Sequence, residues 1–229
     1  MSEQRTFGES PPPIIHANKP HMALLLLLDT SISMRGDPIR LLNEGVNRFK
    51  EEVSKDDTTR KVLDVAIIEF NTTHRIVQEF VPVQHMNPVN LTATGGTNMS
   101  PAIREALNMV DERSRFYGRH GTAPYRPWVY LISDGEPNDD ISAVAQEIKD
   151  MEKRGKVSFR SLGVPGYDSD ILHKLCGPKV LKLDGVDFTE FFDWLNKSMR
   201  VMSQTEPGER AQPVQTEGNL SVDRNPDWD

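Results

Sequence analysis

Residues 22–28 form an uninterrupted apolar run, Met-Ala-Leu-Leu-Leu-Leu-Leu, which closes on Asp29. A run without polar alternation has no solvent-facing side, so as a strand it must be covered on both faces. It is too short to cross a bilayer, which takes about 20 residues. It also starts too late for a signal peptide and ends without a small-residue cleavage site. Other strand-like segments lie at 62–70, 75–80, 128–133, 156–164 and 180–183. Between them, apolar residues recur at helical spacing: Leu42, Val46, Phe49 and Val53, then Ile103, Ala106, Leu107 and Val110, then Ile141, Val144, Ile148 and Met151. A short helix near 171–175 and a last one carrying Phe188, Phe191, Phe192, Leu195, Met199 and Met202 complete the series. Asp37-Pro38 reads as an N-cap followed by proline at the first helical position. This alternation predicts an α/β fold, Rossmann-like and doubly wound. Its central sheet is mostly parallel, with one antiparallel edge strand at 75–80 and helices on both faces.

Composition narrows the function classes. The 229 residues carry 34 Asp and Glu against 27 Lys and Arg, a net charge of −7, with no long basic run. That argues against nucleic acid and against anionic membranes as partners. Cys176 is the one cysteine; it reads as a buried thiol and fits a reducing compartment. A cytoplasmic location is the expectation. Residues 1–20, with Pro11-Pro12-Pro13, and residues 204–229 read as flexible arms around a domain at 21–203. Trp228 is either a docking anchor or inert. His16 and His21 read as solvated arm residues, and no histidine stands at zinc-ligand spacing.

In folds of this class ligands sit at the carboxyl ends of the strands. Asp29-Thr30-Ser31-Ile32-Ser33 follows the first strand, and its alternation can turn one carboxylate and two hydroxyls inward. Thr97 follows Gly95-Gly96 just before a helix, where glycines let backbones approach closely. Asp134 ends a buried strand. Five hard oxygen donors at one rim suit a hard cation. The set D-x-S-x-S, then T, then D, resembles the metal-ion-dependent adhesion site of von Willebrand factor A domains, and the resemblance spans roughly residues 20–202. It implies direct ligation by the hydroxyls of Ser31, Ser33 and Thr97. Asp29 and Asp134 would act mainly through waters or hydrogen bonds. The implied cation is Mg²⁺, with Mn²⁺ or Ca²⁺ possible, and the implied partner is a protein that supplies an Asp or Glu to it. Residues 25–39 and 128–140 are similar to TerY-type proteins, bacterial cytoplasmic A domains of tellurite-resistance and stress clusters. Some of these are paired with a protein kinase and a phosphatase. That family usually has glycine where Ile32 stands, so the loop must accept an ordinary backbone there.

The resemblance implies a non-enzymatic scaffold. Two alternatives stand beside it. A phosphatase-like hydrolase would carry a second Asp where Ser31 stands, and there is no nucleophile elbow or phosphate-binding loop. An extracellular adhesion domain is disfavoured by the lone cysteine and the lack of a signal segment. Residues 81–98 and the acidic stretch 136–140 are expected to form a partner-selecting rim. On that expectation, alanine at 138–140 would spare the cation.

Overall fold

The computed structural model describes residues 19–134, 136–206 and 213–224. Seven strands form one sheet in the order β3-β2-β1-β4-β5-β6-β7. The apolar run is β1 (Met22–Asp29), buried at every position and flanked by β2 (Leu63–Phe70) and β4 (Trp128–Ser133), both parallel to it. Then come β5 (Ser158–Gly163) and β6 (Val180–Leu183), also parallel. The expected antiparallel edge is β3 (His74–Pro82).

Side chains of β1 alternate between two cores. Leu24, Leu26 and Leu28 meet α1 (Asp37–Lys55) and α5 (Thr189–Met202). Leu25 and Leu27 meet α2 (Met99–Arg119), α3 (Ser142–Lys153) and α4 (Ser169–Cys176). Helix α1 begins one residue earlier than its sequence suggests: Gly36, at φ 90°, is the N-cap and Asp37 is already helical. The fold direction reverses between β1 and β4, since β1 leads through α1 to β2 on one side while β4 leads through α3 to β5 on the other. That reversal opens a crevice at the carboxyl ends of β1 and β4.

Two expectations are corrected. Residues 204–229, expected as a flexible arm, are not all tail: Leu220–Val222 form β7, antiparallel to β6, so the sheet has an antiparallel strand at both edges. The segment is held by more than its ladder: Trp194 Nε1 donates to the Val214 carbonyl at 2.8 Å, and the Asn219 amide donates to Glu190 at 2.6 Å. Trp228 and His16 lie outside the described residues. His21 is not solvated; it is 1% exposed, its Nδ1 3.4 Å from Asp64 Oδ2. Asp64, at the amino end of β2, also accepts from Arg113 at 2.7 Å and from the Tyr117 hydroxyl at 2.5 Å. Burial alone would raise its pKa, but His21, Arg113 and Tyr117 together hold it below the usual value. Cys176 is buried, and burial pushes its thiol up to about 12, which makes it an inert core group.

The two helices on one face meet at Gly45, where an added Cβ would lie 2.5 Å from Phe192 Cδ2. Phe192 is itself packed against Phe49 and Phe191 and has no room to swing away. Helix propensity favours alanine over glycine by about 1 kcal/mol; overpacking costs about 1–3 kcal/mol. Gly45→Ala is therefore expected to lower the urea midpoint, and an unchanged or higher midpoint would show that Phe192 can yield.

Candidate metal centre

Asp29 closes β1 inside the crevice and is fully buried. Its Oδ1 accepts from the Ser31 amide at 2.8 Å, and its Oδ2 accepts from Ser133 Oγ at 2.6 Å. Those bonds turn the chain sharply after the strand. Residues Ile32–Met34 form a 3₁₀ turn, so Ile32 takes an ordinary right-handed backbone and leaves its side chain 50% exposed. The turn brings Ser31 Oγ to 3.0 Å from Ser33 Oγ.

Backbone bonds sew this loop to the one carrying Thr97. The Thr94 amide donates to the Thr30 carbonyl at 2.7 Å, and the Ile32 amide donates to the Gly95 carbonyl at 3.0 Å. The two glycines are required by contact. A Cβ at Gly95 (φ 74°) would meet Thr72 Oγ1 at 2.5 Å, and one at Gly96 would meet Asn138 Oδ1 at 2.5 Å. Thr97 is 6% exposed.

The third loop follows β4. Asn138 Oδ1 accepts from the Thr97 amide at 2.6 Å, and the Asn138 amide donates back to the Thr97 carbonyl at 2.8 Å. Asp139 accepts from the amides of Met99 and Ser100, both at 2.8 Å, and so caps α2. Residues 138 and 139 thus hold Thr97 and its helix in place rather than forming a free rim. Alanine at 138–140 would disturb Thr97 itself, contrary to the expectation from sequence. Nothing in the sequence marks Ser133, Asn138 and Asp139 as supports of Asp29 and Thr97, although all three lie within the quoted segment 128–140.

The structure therefore brings Asp29, Ser31 and Ser33 into direct contact and ties Thr97 to them through backbone. Asp134 follows Ser133, the partner of Asp29, and its Oδ1 is buried with no hydrogen-bond partner among the described residues. Burial raises the Asp29 pKa to about 6 against the lowering effect of the Ser133 and Ser31 bonds, and the charge of Asp134 raises it further. A fully buried Asp29, a half-buried Asp134 with one oxygen lacking a partner among the described residues, and the hydroxyls of Ser31 and Ser33, with Thr97 on the adjoining loop, are a donor set that fits a hard divalent cation. Among the described residues no three His, Cys, Asp or Glu side chains cluster as a metal site.

Comparison with known proteins identifies the family and the fold. The family model of the von Willebrand factor type A domain matches residues 23–187. No curated protein matches the chain in sequence. Among solved structures, a von Willebrand factor type A protein from Catenulispora acidiphila is similar with a TM-score of 0.62 and 14% identity, over 80% of this chain and 43% of that one. The pilus adhesin SpaC from Lactobacillus rhamnosus GG gives 0.64 and 14%, over 79% of this chain and 30% of that one. The vWF domain of the type V pili tip protein from Porphyromonas gingivalis gives 0.59 and 10%, over 83% and 98%. The chain thus spans less than half the length of the first two. No helix among the described residues is long and apolar enough to cross a membrane.

Proposed function

This chain belongs to the von Willebrand factor type A family, and from that premise we propose that it is a non-enzymatic interaction module whose crevice takes up a divalent cation and, through it, an acidic group of a partner protein. The observation that carries the reading is the buried Asp134 Oδ1 without a partner, beside a burial-strained Asp29 and the paired hydroxyls of Ser31 and Ser33. Ser31, Ser33 and Thr97 would hold the ion, Mg²⁺ before Mn²⁺ or Ca²⁺, while Asp29 and Asp134 balance its charge and orient the hydroxyls. A bound cation held by few carboxylates supplies an electrophilic point that a partner Asp or Glu can fill.

Each protein group has a defined task in this reading. Ser133 fixes one oxygen of Asp29 so that the other orders the turn carrying Ser31. Asn138 and Asp139 fix Thr97 and the start of α2. The exposed Ile32 sits at the mouth, where it can touch a partner directly. On the strength of the D-T-S-x-S-M-R-G-x-P-I and D-G-x-P-x-D-D segments, we extend the proposal to a scaffold in a bacterial tellurite-resistance, stress or defence complex. It would act in the cytoplasm, with a kinase and phosphatase pair among its partners.

Affinity capture with and without chelator tests the interaction. Partners held by the wild-type chain in Mg²⁺ should elute with EDTA and should not bind Thr97→Ala. Replacing one Asp or Glu of such a partner should abolish its capture. Partners retained through EDTA and on Thr97→Ala would contradict the cation-dependent reading.

A further inference from the structure

A second concave site lies at the opposite edge of the sheet from Asp29 and Ser133. Arg126 stands just before β4, Ser158 opens β5 and Lys179 stands just before β6, all at the amino ends of parallel strands. Because β7 runs antiparallel, Arg224, just beyond its end, returns to the same edge. Together with Arg160 of β5 these residues line a cavity of about 800 Å³, walled on its apolar side by Leu181, Val214 and Val222.

The charge balance of this cavity is the reverse of the chain's. Among the described residues four cationic side chains line it, against the single carboxylate of Glu152, while the whole chain carries −7. Glu152 is already committed: it pairs with Lys179 and accepts from the Phe159 amide at 2.8 Å. No carboxylate among the described residues pairs with Arg126, Arg160 or Arg224. Arg160 lies with its guanidinium carbon 4.6 Å from the centre of the Trp128 ring, which fixes the group in place, and its Nε is buried with no hydrogen-bond partner among the described residues. Three guanidinium groups thus line one cavity without a carboxylate partner among the described residues, one of them held on an aromatic face.

We infer that this cavity binds a small molecule carrying a diphosphate or longer phosphate chain. Guanidinium forks match phosphate oxygens two at a time, and several of them favour a ligand with more than one phosphate. A cavity of this size also accommodates more than the phosphates alone, which the apolar wall of Leu181, Val214 and Val222 can cover. The site is separate from the cation crevice and does not depend on it.

Inorganic pyrophosphate is the probe, titrated by calorimetry into the full chain in EDTA so that no metal contributes. Saturable binding that weakens with salt is expected for the wild type. Arg126→Gln/Arg224→Gln changes two exposed residues and should weaken it by at least roughly tenfold. The charge-matched Arg48→Gln/Arg104→Gln, on other surfaces, should bind as the wild type does. No saturable binding by the wild type, an unchanged affinity in Arg126→Gln/Arg224→Gln, or an equal loss in both double variants would overturn the inference.

Discussion

Asp64→Ala is expected to lower the thermal midpoint of this protein by roughly 10 °C, the largest loss of stability among single substitutions at its buried polar groups. Asp64 is 1% exposed and is the shared acceptor for Arg113, 4% exposed, and for the fully buried Tyr117. The Arg113 guanidinium stacks at 4.8 Å from the Phe116 ring centre and 4.9 Å from that of Tyr117, so it cannot follow a water molecule outward without leaving both. Removing the carboxylate leaves a buried cation uncompensated, at a cost of about 3–5 kcal/mol. In a domain of this size each kcal/mol shifts the midpoint by about 2–4 °C. The pH dependence has a defined sign. The folded pKa of Asp64 lies below its unfolded value, so its contribution is fully present above the unfolded value and fades as pH falls through the folded one. The deficit of Asp64→Ala should therefore narrow in acid. A loss of only a few degrees that is constant with pH would show that the cluster contributes no charge stabilisation.

Asp29→Asn should behave in the opposite way. Burial lifts the Asp29 pKa from 3.8 to about 6 in the metal-free fold. The folded value lies above the unfolded one, so ionised Asp29 opposes folding at neutral pH. That penalty, about 3 kcal/mol for a shift of this size, develops as pH rises from about 4 to about 6 and is absent below. In EDTA at pH 7.5, Asp29→Asn is expected to be at least as stable as the wild type by urea unfolding. At pH 3.5 it should have almost no such advantage, because the carboxyl is then largely protonated in both the folded and the unfolded wild type. A deficit of equal size at both values would mean that Asp29 acts as an ordinary structural cap. A carboxylate that weakens the metal-free fold is what a cation-holding role predicts, since the ion supplies the compensating charge.

How much of this was legible in the sequence follows from the range of each interaction. The run closing on Asp29 suits a strand covered on both faces, and the helical spacing that alternates with such runs makes the sheet mostly parallel. The spacing of Asp29, Ser31 and Ser33 is local, and the contacts among them are local too. The roles of Asn138 and Asp139 are not legible in the sequence because their partners, Thr97, Met99 and Ser100, lie some 40 residues away. A polar loop residue does not announce which backbone amide it will cap. Strand β7 escaped notice for a related reason. Leu220-Ser221-Val222 is three residues long and draws its pairing from the free edge of β6 and its position from α5, through Glu190 and Trp194. The burial of His21 is likewise illegible, because it depends on Asp64 and Tyr117, which the sheet and α2 bring to it.

The central claim is that the crevice between β1 and β4 binds a divalent cation through these residues. Titration of Mg²⁺ and Mn²⁺ into chelator-stripped protein, by calorimetry and beside Asp29→Asn, tests it most directly. Saturable one-site binding is expected for the wild type, with affinity lower by at least about 10–100-fold in Asp29→Asn and the variant still folded. Binding that is absent in the wild type, or equal in the two proteins, would contradict it.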